Sequence, residues 1–430
     1  MIRFIGLDVH KHFIEVCMID RRGRVLHRCQ VDCRRQDLEH FAKRQLKKTD
    51  RVALEATTNT WPIVALIRPH VRQLVVGNPL KTKAIAEANI KTDKVDAEAL
   101  AQLLRCNYLP EVWQPDADTQ AHRGLLTHRA GLTKRRAQHK NRIQCVLSRM
   151  LLEPPCRYLW SKAGRDWLCS LDLPPAERLV LESELRQLDQ VEHELKGLDL
   201  VLAGVAAQND RVRLLMTLPG VSYVVALGLL AALGQVDRFR DGDHAAAYLG
   251  LVPKTRQSGA KCYHGRITKA GNSQARWLLT QACQHVARHP GPLGAFFRRL
   301  SKRKPRHVAL MALARKLATV AYHMLKNNEP YRYAQPDLVA RKFTKLRAHS
   351  AQPQQEGARP SSLQPAARAG LAVVYEQAGL PQVSIPTALP EGERRMLAAR
   401  KLTEYVEQLY TPRPAHPARL SRTRKPSDQG

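Results

Sequence analysis

The chain has 430 residues, 44% of them hydrophobic, and its 70 Lys and Arg against 38 Asp and Glu produce a formal net charge of +32. The length suits two or three domains, and the positive excess predicts a polyanionic partner, because phosphate neutralisation supplies most non-specific nucleic-acid affinity. A membrane surface is the competing polyanion, but the sequence has no long apolar run, no signal peptide and no lipidation motif. Nine scattered cysteines without a Cys-x-x-Cys pair argue against zinc and favour reduced thiols in a cytoplasmic protein.

Residues 1–110 are predicted to form a mixed α/β sheet domain. Strands are expected at Arg3–Val9, Phe13–Ile19, Val25–Val31, Arg51–Glu55 and Leu74–Val76. Helices are expected near Leu38–Leu46, Trp61–Ile67, Lys81–Ala88 and Asp93–Leu104. Three hairpin strands followed by alternating helices and strands favour a ribonuclease H-like fold.

Four acidic residues of this domain are candidate metal ligands. Asp8 lies in the middle of an apolar strand, Glu55 ends another strand, and Asp93 and Asp96 share one helix face. A carboxylate in a buried strand is costly unless it is paired or metal-bound, and four at one site would bind two divalent cations such as Mg²⁺ or Mn²⁺. The structural alternatives are Asp8 paired with Lys11, Glu55 capping the next helix, Asp93 as an N-cap and Asp96 as an ordinary first-turn acid.

Residues 111–208 are predicted to form a basic helical connector. A proline-punctuated linker near 108–115 precedes a basic helix, and a second helix from about residue 175 carries leucines at heptad-like spacing. This pattern fits an antiparallel helical hairpin, a dimerising coiled coil or a simple solvated pair. The candidates for contact with the nucleic-acid backbone are Arg129, Arg135 and Arg136.

Residues 209–335 are predicted to form an α-rich domain. Helices are expected at Val224–Leu233, Ala245–Pro253, Ser273–Arg288, Pro292–Leu300 and His307–Lys326. The turn Leu218–Gly220 is typical of helix-hairpin-helix elements, in which a helix N-terminus can face a phosphate. A plain helical turn is the alternative.

A basic loop, Lys254–Arg266, holds Ser258 among arginine and lysine side chains. Serine becomes a nucleophile when a base or nearby cations stabilise its alkoxide, and cations also neutralise a phosphoryl group under attack. The loop is therefore a candidate phosphate-attacking site, and a solvated loop in which Ser258 caps a turn with Gly259 is the alternative. The candidates for phosphate binding are Arg256, Lys261, Arg266 and Lys269.

Residues 336–430 are rich in Pro, Gln, Ser and Arg, and we expect a basic, partly disordered extension. Disorder is expected over 351–366 and a modest helix over Glu391–Leu409. The basic tail, 411–430, is interpreted as either an auxiliary nucleic-acid contact or a flexible appendage.

Several short stretches of the chain occur together in a fixed order. They are Gly6–Lys11, Glu55–Thr57, Lys91–Ala97, Leu218–Gly220, Ala247–Pro253, Ser258–Gly259 and Lys269–Asn272. With them, residues 1–330 resemble transposases of the IS110 class of bacterial insertion sequences, including the IS1111 branch, which are relatives of the Piv DNA invertases. Each stretch alone is a weak signal, whereas the set is specific.

The resemblance implies a RuvC-like domain whose Asp-Glu-Asp-Asp tetrad falls on Asp8, Glu55, Asp93 and Asp96. It implies a coiled-coil connector and a C-terminal transposase domain whose nucleophile matches Ser258. It further implies Mg²⁺ or Mn²⁺, donor and target DNA paired by a structured guide RNA, and tetramers whose composite sites join one subunit's tetrad to another's serine. Two features depart from the family pattern: the run 58–61, where a glycine and an aromatic residue are usual, and the segment beyond 335.

The leading interpretation is a Mg²⁺-dependent, RNA-guided DNA transposase or recombinase that forms a phosphoserine intermediate through Ser258. The first alternative is a metal-dependent nuclease of the junction-resolvase kind, which uses the tetrad and water. The second is a non-enzymatic nucleic-acid-binding protein. The position of Asp8 within a strand disfavours the non-enzymatic protein, and the basic loop around Ser258 disfavours the nuclease.

Overall fold

The computed structural model describes residues 2–85, 92–259, 261–350, 362–383 and 389–413. The chain forms two compact units, Met1–Asp116 and Ala117–Gly430. All nine cysteines lie among the described residues, and each is a free thiol.

A five-stranded mixed sheet forms the centre of the first unit. Its strands are β1 (Phe4–Val9), β2 (Phe13–Ile19), β3 (Val25–Asp32), β4 (Arg51–Glu55) and β5 (Gln73–Gly77). They lie in the order β3-β2-β1-β4-β5, in which β1, β2 and β3 are antiparallel and β4 and β5 run parallel to β1. The mixed α/β sheet predicted from the sequence is confirmed.

Helices cover both faces of this sheet, because its central strands bury side chains on both sides. The helices are α1 (Arg35–Gln45), α2 (Thr60–Ile67), α3 (Pro79–Ile85) and α4 (Asp93–Arg105). Ile5 and Leu7 of β1 pack with α1 and α2, whereas Phe4 of β1 and Ala53 of β4 pack with α4. Alternation along each strand therefore decides which helix a side chain meets. The last part of the helix expected at Lys81–Ala88 lies outside the described residues.

The segment after α4 runs along β5 and closes the first unit. The amide of Val112 donates to the carbonyl of Val76 at 2.7 Å, and the amide of Asn78 donates to the carbonyl of Pro110 at 2.8 Å. These bonds fix residues that the sequence indicated as a linker, and they explain why the unit continues to Asp116.

A long helical hairpin begins the second unit. It consists of α5 (Ala117–Arg149), α6 (Lys162–Ser170) and α7 (Pro175–Ala207). Leu132 of α5 packs against Val191 of α7, whereas Ile143, further along α5, shares a cluster with Leu181, near the start of α7. The two long helices are therefore antiparallel within one chain. The short helix α6, which was not predicted, buries Leu168 in the same cluster as Ile143.

An α-rich core makes up most of the second unit. Its first helices are α8 (Asp210–Met216), α9 (Tyr223–Leu233), α10 (Gly242–Tyr248), α11 (Ser273–Val286), α12 (Pro292–Ser301) and α13 (Arg306–Asn327). Among the described residues, α13 is the one helix long and apolar enough to cross a membrane. It lies against α8, α10, α11 and α12 and buries ten of its residues, as expected of a core helix.

Between α10 and α11 the chain forms a β-hairpin rather than the loop expected at Lys254–Arg266. Its strands are β6 (Pro253–Ser258) and β7 (Lys261–Ile267). The described residues from 254 to 266 are all exposed. Exposed, polar strands lack the apolar alternation by which strands are recognised in a sequence, so the pattern indicated a loop.

Five short helices follow in the part of 336–430 that the structure describes. They are α14 (Pro336–Ser350), α15 (Gln364–Ala369), α16 (Leu371–Gln377), α17 (Glu391–Ala399) and α18 (Thr403–Tyr410). Val339, Tyr375 and Val406 join the same core as α13, so this part of the extension is packed. Most of the stretch expected to be disordered, 351–361, and most of the basic tail, 414–430, lie outside the described residues.

Candidate active site

The sheet brings Asp8 and Glu55 to one edge and one face. β1 and β4 are parallel neighbours whose last aligned pair is Leu7 with Leu54, and each acid follows that pair by one residue. Because side chains alternate along a strand, Glu55 points to the face of Ala53, two residues earlier. Ala53 packs against α4. Asp8 follows the same alternation in β1, so both acids lie on the face that α4 covers.

The first turn of α4 carries the other two acids. The side chain of Thr92 accepts a hydrogen bond from the amide of Val95, so Thr92 is the N-cap and Asp93 is the first helical residue. The alternative in which Asp93 caps the helix is therefore wrong. Asp93 is exposed and Asp96 is half-buried, and the negative charges of both raise the pKa of Asp8. The fold thus places Asp93 and Asp96 near Asp8.

His10 lies between two of the acids. Its Nε2 is 3.0 Å from Oδ2 of Asp8 and 3.4 Å from Oδ1 of Asp93. The sequence predicted no role for His10, although residues two apart at the end of a strand share a face. Lys11, the partner of Asp8 in the structural alternative, is exposed, and the partner found is His10.

The electrostatics of this group favour a bound cation. Burial raises the pKa of Asp8 above its ordinary value, the hydrogen bond and charge of His10 oppose that rise, and Asp96 and Asp93 add to it. A divalent cation relieves repulsion of this kind. Asp8, His10 and Asp93 offer ligand atoms within 4.8 Å of one another, and carboxylate oxygens suit Mg²⁺ and Mn²⁺. The residues therefore fit a divalent metal, with Glu55 on the same face but outside this tight group.

The loop after Glu55, where the chain departs from the family pattern, is held by its own polar groups. The amide of Thr57 donates to Oγ1 of Thr60 at 2.6 Å, and Nδ2 of Asn59 donates to Sγ of Cys33 at 3.2 Å. Asn59 occupies the N-cap position of α2. Glu55, which the structural alternative placed as a cap, is therefore not at the N-cap position of α2.

The β6–β7 hairpin sorts its side chains onto two faces. Ser258 is paired with Lys261, and Arg256 is paired with Tyr263, so these four side chains share one face. On the opposite face, Oγ1 of Thr255 and Nδ1 of His264 lie 3.1 Å apart. Among the described residues of the hairpin, no imidazole or carboxylate accompanies Ser258 on its face. The cationic residues on that face are Lys261, opposite Ser258, and Arg256, two residues earlier in β6.

The base of the hairpin is anchored by close backbone contacts. Gly250 has φ +71°, and a Cβ there would stand 2.2 Å from the carbonyl oxygen of Ala270, so only glycine fits. Arg276 of α11 donates to the carbonyls of Leu249 at 3.1 Å and Gly271 at 3.0 Å. The strands project into solvent from this fixed base. The two remaining phosphate-binding candidates, Arg266 and Lys269, lie near the base and are exposed.

The three basic candidates on α5 differ from one another. Arg129 makes two hydrogen bonds to the carboxylate of Asp199 on α7, at 2.6 and 3.2 Å, so its guanidinium holds the helical hairpin together. Arg135 is exposed and Arg136 half-buried, and neither forms an ion pair with any residue that the structure describes. The sequence alone did not separate these roles, because Asp199 is 70 residues away from Arg129.

The Leu218–Gly220 turn is a packed junction between α8 and α9. Gly220 has φ +71°, and a Cβ there would stand 2.4 Å from the carbonyl oxygen of Ala282. The Nζ of Lys342 donates to the carbonyls of Met216 at 2.8 Å and Leu218 at 2.5 Å. These contacts favour the plain helical junction over a phosphate-facing turn.

Comparison with known families identifies both parts of the chain. A family described as Transposase IS116/IS110/IS902 matches residues 212–298. A second family, the DEDD-type transposase of IS110 elements, matches residues 5–151. Together the two matches span more than half of the chain and include Ser258 and the four acids.

Individual relatives agree with the family matches. The chain is 26% identical to the transposase for insertion sequence element IS1111A of Coxiella burnetii, over 77% of this chain and 92% of the relative. It is 27% identical to the pilin gene-inverting protein of Moraxella bovis, over 76% and 97%, and 24% identical to the transposase for IS1328 of Yersinia enterocolitica, over 75% and 96%. The chain belongs to the IS110-class transposases and is a DNA transposase or recombinase.

Proposed function

We propose that Ser258 is the nucleophile of this transposase and forms a covalent phosphoserine bond to DNA. The observation that carries the proposal is the hairpin geometry. Ser258 ends a solvent-exposed strand, and its cross-strand neighbour Lys261 and the preceding same-face residue Arg256 lie beside it. Two cations beside a hydroxyl both favour its alkoxide and neutralise the phosphate that it attacks.

The proposed step conserves the energy of the DNA ester. The Oγ of Ser258 forms a bond to a backbone phosphorus, the bond from that phosphorus to the 3′ oxygen breaks, and the serine proton is lost while the 3′ oxygen gains one. Attack by the 3′ hydroxyl of another strand then reverses the step and releases the serine. Arg256 and Lys261 neutralise the phosphate throughout.

The acids Asp8, Glu55, Asp93 and Asp96 are proposed to hold Mg²⁺ or Mn²⁺. The raised pKa of Asp8 and the ligand atoms that Asp8, His10 and Asp93 offer within 4.8 Å of one another support this assignment. The ion, when bound, would polarise the scissile phosphate and stabilise charge on the leaving oxygen. The sheet order β3-β2-β1-β4-β5 is consistent with a RuvC-like domain.

We further propose that the active site is composite, formed by the acids of one subunit and the serine of another. An isolated two-stranded hairpin is marginally stable in water, and β6 and β7 expose almost all of their residues. Such a ribbon gains stability by contacting DNA or another subunit. We propose that the protein dimerises through the long helical hairpin and that the dimers assemble into a tetramer on DNA, which brings the β6–β7 hairpin of one subunit against DNA and another subunit. The net charge of +32 suits binding of donor DNA, target DNA and a guide RNA.

Covalent capture tests the serine mechanism. The protein is incubated with DNA carrying a nick near the junction, so that the attacking strand diffuses away and the adduct accumulates on a denaturing gel. We expect an adduct with the wild type and with Ser273→Ala, an exposed serine at the start of α11, and none with Ser258→Ala. The metal-dependent nuclease would be established instead if the DNA were cut to hydrolysed ends without an adduct, and if Ser258→Ala cut as much DNA as the wild type.

Complementation tests the composite site. Ser258→Ala and Asp8→Asn are each expected to be inactive alone, and mixed tetramers are expected to regain strand exchange, because some sites then join an intact serine to an intact tetrad. No recovery from co-expressed and co-purified mixtures would place both groups in one subunit. If recombination is guided, we expect RNA to purify with the protein and to match DNA flanking the coding region. Digestion of that RNA should abolish strand exchange.

A further inference from the structure

A concave groove lies on the second unit, between α12, α13 and the end of α17. It encloses about 410 Å³, a volume in the range of small-ligand sites. The side chains that matter for its chemistry are Phe296, Arg299, Lys316, Tyr331, Tyr333 and Arg400. Two further depressions extend it along α13: one shares Phe296 and Lys316 with the groove, and the other shares Tyr331 and Tyr333. None of these residues belongs to the tetrad or to the Ser258 hairpin.

The three cations of the groove lack acidic partners. Arg299, Lys316 and Arg400 form no ion pair with any residue in the described part of the chain. Nearby arginines do have partners: Arg298 donates to the carbonyls of His289 and Pro290, Arg315 pairs with Asp243, and Arg332 pairs with Glu329 and Glu393. The groove therefore holds three cations without acidic partners, and its low-dielectric wall strengthens their field.

The floor of the groove is aromatic and contains an unsatisfied hydroxyl. The Tyr331 and Tyr333 rings pack edge to face with centroids 5.7 Å apart, and Arg299 lies 5.8 Å from the ring centroid of Phe296. Tyr331 is 6% exposed. Its hydroxyl, close to the backbone of Leu293, has no hydrogen bond of normal geometry to any described group. Buried hydroxyls normally have a partner, so a ligand group that reaches this one would gain a hydrogen bond.

From these observations we infer that the groove binds one unpaired nucleotide of a nucleic-acid strand. Arg299, Lys316 and Arg400 contact its phosphate, the aromatic floor contacts its base, and the Tyr331 hydroxyl bonds to a polar edge of that base. Aromatic surface beside a cationic track is the usual means of binding single strands without a duplex. A cavity of about 410 Å³ admits a nucleotide but not a base pair within its duplex. The inference goes beyond the catalytic proposal and assigns a role to Arg400, in the extension beyond residue 335.

The experiment measures binding of fluorescein-labelled 15-nucleotide single strands, as DNA and as RNA, to the full chain in the Ser258→Ala background. The triple variant Arg299→Gln, Lys316→Gln, Arg400→Gln is compared with the charge-matched control Arg288→Gln, Lys302→Gln, Arg394→Gln, whose residues are exposed and outside the groove. The groove variant is expected to flatten the dependence of log affinity on log salt by about 0.7, the contribution of one phosphate contact on a single strand. The control is expected to change it much less.

Equal loss in both triple variants, for DNA and for RNA, would overturn the inference. A loss confined to DNA or confined to RNA supports it and identifies the strand. Inorganic phosphate at millimolar concentration serves as competitor: if it alone abolishes the difference between the two triple variants at constant ionic strength, the site binds free phosphate and the nucleotide assignment is wrong.

Tyr331→Phe tests the floor and removes only the hydroxyl. Because that hydroxyl has no normal partner, we expect thermal stability to be kept or raised, while affinity for the single strand falls about fivefold, as for one lost hydrogen bond. Unchanged affinity would refute the base contact. Groove variants that retain Ser258 should form the covalent adduct with a short duplex at the wild-type level. A failure of the groove proposal is therefore distinguishable from a failure of the serine mechanism.

Discussion

A Cβ atom on Gly6 would stand 1.9 Å from the carbonyl oxygen of Ala97, so β1 and α4 meet backbone to backbone at this point. No side chain fits at such a distance. The close approach carries the first turn of α4, with Asp93 and Asp96, to the end of β1, where Asp8 lies. Gly6 is thus required both for the packing of α4 on the sheet and for the placement of Asp93 and Asp96 near Asp8.

Gly6→Ala is expected to lower the free energy of unfolding by about 1–3 kcal/mol, the usual effect of overpacking, and to displace α4. Gly197→Ala is the matched control, because Gly197 lies in α7 and a Cβ added there would have nothing within 4 Å; it is expected to stabilise the protein by about 0.5–1 kcal/mol. Urea unfolding followed by circular dichroism measures both. A stabilising Gly6→Ala would contradict the close approach.

Mg²⁺ is expected to raise the Tm of the wild type. At a hundred times its Kd a ligand adds about 2.7 kcal/mol to stability. Asp8→Asn and Asp93→Asn should remove most of this response, whereas Asp32→Asn, an exposed residue at the end of β3, should keep it. Differential scanning fluorimetry over a Mg²⁺ and a Mn²⁺ titration is the measurement. An equal response in all four proteins would show that the ion binds elsewhere.

His10 is expected to contribute most to the free energy of unfolding when no metal is bound. Its Nε2 lies 3.0 Å from Asp8 and 3.4 Å from Asp93, so His10→Ala should destabilise the metal-free protein by about 1 kcal/mol, the net value of a hydrogen bond. In saturating Mg²⁺ the carboxylates contact the cation instead, and the difference in stability from the wild type should shrink. His12→Ala, at a neighbouring exposed position, serves as control. A difference that is unaffected by Mg²⁺ would separate His10 from the metal site.

His289 is expected to make the second unit acid-sensitive. Burial, together with the charges of Lys342 and Arg298, lowers the pKa of His289 from 6.5 to about 4. The unfolded chain therefore binds a proton before the folded chain does as pH falls. The stabilising contribution of His289 is fully present above pH 6.5 and is lost as the pH falls to about 4, a change of about 3 kcal/mol.

His289→Asn removes this titration while keeping an acceptor for the amide of Gly291, which donates to Nδ1 of His289 at 3.1 Å. The variant should be less stable than the wild type at pH 7, and the gap should narrow by pH 4. Urea unfolding at pH 7, 5.5 and 4 measures the gap, with His128→Asn, on the exposed face of α5, as control. A gap that stays constant would mean that His289 titrates normally.

Arg129 and Arg135 are expected to respond differently to substitution. Arg129→Gln breaks the two bonds to Asp199 and should lower the stability by about 1–3 kcal/mol without changing the salt dependence of DNA binding. Arg135→Gln should leave stability unchanged and reduce the salt slope by about 1. Thermal unfolding and anisotropy titrations at several salt concentrations separate the two effects. The reverse outcome would make Arg129 the DNA contact.

The local sequence pattern was sufficient to predict a helix or strand wherever apolar residues mark one face of that element. β2 and β4 occur at the predicted bounds, and both long connector helices follow their leucine spacing. The hairpin that carries Ser258 was missed because its exposed strands contain no apolar alternation. The helices of residues 336–350 and 362–413 were largely missed because each buries only a few residues, and these are separated by prolines and polar residues.

The sequence by itself determined that this is a basic chain of more than one domain, with four acids in an α/β sheet domain and a serine among cations, because composition, strand patterning and motif order are local properties. Only the tertiary structure decided which groups meet. Some contacts join side chains that are distant along the chain, such as His10 with Asp93 and Arg129 with Asp199. Others depend on which face a side chain lies on, such as His10 with Asp8 and the unpaired cations around Tyr331. Such contacts follow from packing, which fixes distances that spacing along the sequence does not.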